Sequence, residues 1–154
     1  METTEDYLWI LVLGVIASFS AAFGIGANDV ANAFATSVGS KALTIKQACF
    51  LAVIGEFLGA TFLGGEVVKT IRKGIADESY FEDNPPLLMW GCLCVLVSVA
   101  IWLIIASRLE MPVSTTHSTI GGMIGMAVAA HGSKAVQWYK ETDQFPFAGG
   151  FVGV

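Results

Sequence analysis

Asn28, Asp29 and Asn32 stand directly after residues 8–27, about twenty positions without a charge, the length that crosses a bilayer core. A carboxylate and two amides carried to that depth are costly and mark functional sites. Asn28 and Asn32 are four apart and share a helix face, with Asp29 one step round, so their oxygens can converge on a small hard cation. Gly24 and Gly26 precede them and are expected to break the helix and free backbone carbonyls. The bland alternative is that Asn28 and Asp29 open a loop at the membrane surface.

A second constellation runs through Pro112-Val113-Ser114-Thr115-Thr116-His117-Ser118-Thr119. Proline suits the first turn of a helix, and the hydroxyls after it surround that turn's free amides. A helix N-terminus with added hydroxyl donors at Ser114, Thr115 and Thr116 suits a tetrahedral oxyanion, phosphate or sulfate. Residues 112–119 hold no Lys or Arg, so full anionic charge must be offset by the helix dipole and by co-bound cations. That predicts coupled movement in place of tight storage. The competing reading is that these hydroxyls only bond back to their own helix or join it to a neighbour. His117 reads as a hydrogen-bonded packing residue before it reads as a proton relay. Gly121, Gly122 and Gly125 permit the tight turn of a re-entrant segment.

The elements that must position these groups are membrane helices. Of the 154 residues, 55% are hydrophobic and 14% charged, with mean hydropathy +0.68, which places the chain in the membrane class. Its 8 basic and 13 acidic residues give a net charge of −5. No Lys/Arg stripe suits nucleic acid. Residues 35–46, rich in small and hydroxyl side chains, read as a break or connection. Residues 47–65 form a second apolar run interrupted by Glu56, with Gly55 and Gly59 at the spacing of close helix contacts. Glu56 is therefore expected to face protein, as a structural carboxyl or as a cation-coupling one. Residues 69–86 collect both signs of charge and two prolines and are expected to form an aqueous loop. Residues 87–107 are a third span, with Trp90 and Trp102 at its interfaces or in packing contacts, and residues 112–130 a fourth. Residues 147–154 begin another apolar run, as if the chain stopped within a helix. Cys49, Cys92 and Cys94 lie in apolar stretches and read as small buried thiols, not as a metal site. The acidic leader has the wrong charge for a cleavable signal, so the first helix serves as its own insertion signal. The basic residues Lys41 and Lys46 oppose Lys69, Arg72 and Lys73, and leave orientation divided.

Gly26-Ala27-Asn28-Asp29-Val30-Ala31-Asn32-Ala33-Phe34, with Thr36-Ser37-Val38-Gly39-Ser40 after it, closely resembles the signature of the inorganic phosphate transporter family that includes sodium-phosphate symporters. Pro112-Val113-Ser114-Thr115-Thr116-His117 resembles its second signature, in the family's order and across nearly the whole chain. The resemblance implies an all-α integral-membrane fold with broken or re-entrant segments, one half of an inverted-repeat transporter. Residues 1–154 would be its N-terminal repeat, with about four membrane segments. By the same resemblance Ser114, Thr115, Thr116 and Asn28 would hold phosphate, while Asp29, Asn32 and Glu56 would couple a cation, with Asp29 and Asn32 as sodium ligands. Some animal members carry an acidic residue where this chain has Cys92, which bears on the choice between sodium and proton.

The implied function is cation-coupled phosphate symport, without a resident cofactor and most naturally in the plasma membrane. The implied partners are phosphate, sodium or a proton, the bilayer, a missing C-terminal half of the transporter and a second copy in a homodimer. A non-transporting membrane phosphate sensor or assembly subunit is the alternative. Enzymatic chemistry is not expected, because His117 beside Ser118 is adjacency and not a nucleophile and base pair.

Overall fold

The computed structural model describes residues 7–138, and these form four helices: α1 (Leu8–Gly39), α2 (Ile45–Ile75), α3 (Pro85–Arg108) and α4 (Thr115–His131). Three segments, Leu8–Gly39, Ile45–Gly65 and Pro85–Arg108, are long and apolar enough to cross a membrane. α4, the expected fourth span, has 17 residues and reaches about 26 Å, short of a bilayer core of about 30 Å. The apolar run expected over residues 147–154 lies outside the described residues.

Each helix starts and stops for a local reason. α2 opens with a capping box: Thr44 Oγ1 accepts from the Gln47 amide while Gln47 Oε1 accepts from the Thr44 amide. Asn84 Oδ1 accepts from the Leu87 amide ahead of α3, with Pro85 and Pro86 at its first positions. The ends of α1 and α3 share one device. After α1, the Lys41 amide bonds the Val38 carbonyl and the Ala42 amide bonds the Ser37 carbonyl. After α3, the Glu110 amide bonds the Ser107 carbonyl and the Met111 amide bonds the Ala106 carbonyl. Both are Schellman closures in which Lys41 (φ 62°) and Glu110 (φ 57°) hold the left-handed position usually given to glycine.

α1 and α3 run parallel and share the most extensive contact. Ile10 and Ala17 pack with Leu93, Trp9 meets Trp90 at a 5.7 Å ring separation, and further along Gly24 lies against Leu103. α4 returns antiparallel to α3, so that Gly91 meets Met126 and Gly122 meets Val95. A Cβ on Gly24 would stand 2.9 Å from Leu103 Cβ, and Leu103 is fully buried. Gly24→Ala is therefore expected to destabilise the protein by about 1–3 kcal/mol, read as a lower unfolding midpoint in detergent. The other ends of α2 and α4 are tied by an isolated antiparallel bridge, Ala76 to Val136. There the Asp77 amide donates to the Ala135 carbonyl and the Gln137 amide to the Ile75 carbonyl, each at 2.9 Å.

Several expectations are overturned. α1 is continuous through Gly24, Gly26 and the Asn/Asp island, because Gly24 serves close packing on α3 and not a break. The connection after it is only residues 40–44, since Thr36 and Ser37 stay helical until the Lys41 closure. Residues 69–74 belong to α2 and not to a loop; no proline interrupts them and lysine and arginine favour helix. α4 is unbroken at Gly121, Gly122 and Gly125, and Gly122 is used for approach to Val95. Pro112 is not in the first turn of α4, whose N-cap is Ser114. Glu56 is exposed among the described residues, and a Cβ on Gly55 or Gly59 would meet none of their atoms within 4 Å. Cys49 and Cys94 are exposed and not buried, as are most large apolar side chains of α2.

Candidate functional site

The two sequence constellations meet in space at the level where α3 ends. Asn28 is the one buried polar side chain among the described residues, 5% exposed, and every bond it makes follows from that burial. Its Nδ2 donates to the Met111 carbonyl at 3.0 Å, and its Oδ1 accepts from the Val113 amide at 3.2 Å. One amide side chain thus bonds the backbone of residues 111 and 113 with both its donor and its acceptor. Asn32, one turn on and exposed, donates its Nδ2 to Asn28 Oδ1 at 3.0 Å. Half-buried Asp29 uses the adjacent face: its Oδ2 accepts from the Thr115 hydroxyl at 3.1 Å.

This clamp explains why α4 starts at Thr115. With residues 111–113 held against α1, Ser114 has extended backbone and becomes the N-cap, its Oγ accepting from the His117 amide at 3.3 Å. His117 Nδ1 lies 2.7 Å from the same Oγ, so the imidazole is hydrogen-bonded to the cap, though it is exposed and not packed. Ser118 and Thr119 bond back to the carbonyls of Ser114 and Thr115 and are spent within the helix. Thr116 is exposed. The amides of Thr115 and Thr116 lie in the first turn, where no carbonyl of the helix can reach them.

The electrostatics are those of two opposed helix ends. Only residues 109–114 separate the C-terminus of α3 from the N-terminus of α4, so partial negative and partial positive charge are presented side by side. Asp29 sits at that junction with a full negative charge when ionised. Such a place suits an anion at the α4 amides and a cation at the carboxylate.

Asn28, Asp29, Asn32, Ser114, Thr115 and Thr116 are therefore gathered around one junction, while Glu56 lies apart on α2 and shares no hydrogen bond with them. Met111 and Val113, whose backbone groups complete the clamp, were not singled out from sequence. Backbone partners carry no side-chain signal, and the reach from residue 28 to residue 113 is set by helix packing. Ser114→Ala is expected to cost about 1 kcal/mol through the lost cap, and Ser114→Gly only a few tenths. The check is the unfolding midpoint of each variant, which the cap predicts to fall further for alanine than for glycine.

Membrane-length helices that bring a buried amide, a carboxylate and an open helix N-terminus together define an integral-membrane protein with a polar site at its helix ends. The chain belongs to the phosphate transporter family, whose model matches residues 25–151. It is 46% identical over 140 residues to a sodium-dependent phosphate transporter of Plasmodium falciparum, covering 91% of this chain and 21% of that protein. It is 46% identical over 133 residues to sodium-dependent phosphate transporter 1 of Mus musculus, covering 86% and 20%. A solved structure, the sodium-dependent phosphate transporter, superposes with a TM-score of 0.79 at 46% identity, over 84% of this chain and 32% of that one. The chain thus spans between about a fifth and a third of the length of these relatives.

Proposed function

We propose that this chain is the N-terminal repeat of a cation-coupled inorganic phosphate symporter, with the co-transported ion in place of any cofactor. The observation that carries the reading is the Asp29 to Thr115 hydrogen bond of 3.1 Å. It sets a carboxylate against the very turn whose amides and hydroxyls suit phosphate. Two unit negative charges about 4 Å apart repel by about 4 kcal/mol at an effective dielectric constant of about 20. Residues 112–119 supply no basic side chain, so phosphate binding there requires a cation at Asp29. The two must then load together, which is the thermodynamic basis of symport.

In this reading Ser114, Thr115 and Thr116 hold phosphate by hydroxyls and first-turn amides. Asn28, whose amide is engaged on residues 111 and 113, contributes by fixing that turn and by its remaining N–H. Asp29 and the exposed Asn32 hold sodium, and the names of the relatives favour sodium over a proton. Glu56, a carboxylate on a membrane-length helix, costs about 2.5–3.5 kcal/mol if left to lipid. It is covered by the C-terminal half, packed on the Gly55 and Gly59 face, and acts as a second coupling group. A homodimer in the plasma membrane completes the proposal.

The test is labelled-phosphate uptake into proteoliposomes holding the complete transporter, under an imposed sodium gradient or an imposed proton gradient. Accumulation above equilibrium with sodium alone supports the assignment. Accumulation with protons alone transfers coupling to a protonated carboxyl, and binding without flux under either gradient would make the protein a sensor.

A further inference from the structure

Ser107 lies in the last turn of α3, and its hydroxyl is buried without a hydrogen-bond partner. Among the described residues no other helical hydroxyl is in that state. Ser20, Thr61, Ser98, Ser118 and Thr119 each bond the carbonyl four residues back, at 2.7 to 3.0 Å. Ser107 leaves the Leu103 carbonyl alone, although an orphaned buried hydroxyl costs about 1–3 kcal/mol.

Its position follows from the register of two parallel helices. Leu103 packs on Gly24, and the Met111 carbonyl accepts from Asn28. Ser107 is one turn beyond Leu103 on the same face of α3, as Asn28 is one turn beyond Gly24 on α1. The orphaned oxygen is therefore level with Asn28, at the C-terminal end of α3, which residues 109–114 join to the N-terminus of α4. Asp29 Oδ2 is engaged by Thr115, so a sodium ion there needs neutral oxygens from other elements to complete its shell. Helix C-termini and hydroxyls are the usual donors in membrane carriers.

We propose that the Ser107 hydroxyl is an α3 ligand of the coupling sodium ion. The inference rests on the symport reading above and adds to it a residue outside both signatures. A hydroxyl oxygen offers lone pairs to a hard cation, whereas a thiol of similar volume is a poor ligand for one.

The test uses the complete transporter in detergent, with sodium chloride titrated against choline chloride at constant ionic strength and without phosphate. The readout is the unfolding midpoint, which rises as sodium binds the native state. Loss of a supporting ligand typically weakens a metal site by about tenfold or more. Ser107→Ala and Ser107→Cys are therefore expected to shift the half-saturating sodium concentration upward by about tenfold or more, and Ser107→Thr to retain the wild-type value. In sodium-free buffer Ser107→Ala should unfold no earlier than wild type, because it removes an orphaned group. A wild-type sodium response that persists unchanged in both Ser107→Ala and Ser107→Cys overturns this inference alone. A wild-type protein that sodium does not stabilise overturns the sodium reading of the proposed function, and this inference with it.

Discussion

Asp29→Asn in the complete transporter is expected to abolish sodium-driven phosphate uptake while the protein remains expressed and folded. The substitution keeps the shape and an oxygen able to accept the Thr115 hydroxyl, which Asp29 Oδ2 now accepts at 3.1 Å. What it removes is charge. An ionised carboxylate attracts a cation about 4 Å away by about 4 kcal/mol at an effective dielectric constant of about 20, which corresponds to close to a thousandfold in affinity. Phosphate would then bind, if at all, without its counterion, and binding would no longer report the sodium gradient. The check is uptake with and without sodium, normalised to protein in the membrane. Uptake preserved at normal expression would remove Asp29 from the coupling site.

The second large effect is expected at Asn28, and it differs in kind. Asn28→Ala removes the partners that the Met111 carbonyl and the Val113 amide now have at 3.0 and 3.2 Å in a part-buried contact, and it empties the place of a buried side chain. Each orphaned group costs about 1–3 kcal/mol, so a loss of about 2–5 kcal/mol in stability is expected, with transport lost as the Ser114 turn comes free. Asn28→Asp is more discriminating: it retains the acceptor for Val113 but sets a carboxylate oxygen against the Met111 carbonyl. Both variants should unfold earlier than wild type and than Asp29→Asn. An Asn28→Ala protein with a wild-type unfolding midpoint would show that the clamp does not hold the segment.

Much of this was readable along the chain. The uncharged stretch before Asn28 and the apolar run over residues 87–107 announce two of the membrane-length helices, because burial in lipid demands long apolar runs. The amide and carboxylate island and the hydroxyl cluster were readable for the same reason: polar side chains at membrane depth are too costly to keep without use. Local helix breaks were read less well. Glycine lowers helix propensity wherever it stands, and the sequence carries no sign of whether that freedom serves a kink, as expected at Gly24 and Gly122, or close packing against Leu103 and Val95, as found.

The sequence by itself determined the membrane class, the family, and which side chains are available for a cation and an oxyanion, since these depend on composition and on spacing within single helices. The tertiary structure alone decided that Asn28 clamps the backbone of Met111 and Val113, that Ser114 and not Pro112 sets the start of α4, and that Ser107 is left without a partner. Those outcomes depend on where α3 ends relative to α1. That register is set by side chains packing across about eighty residues of intervening chain, and no local pattern can encode it.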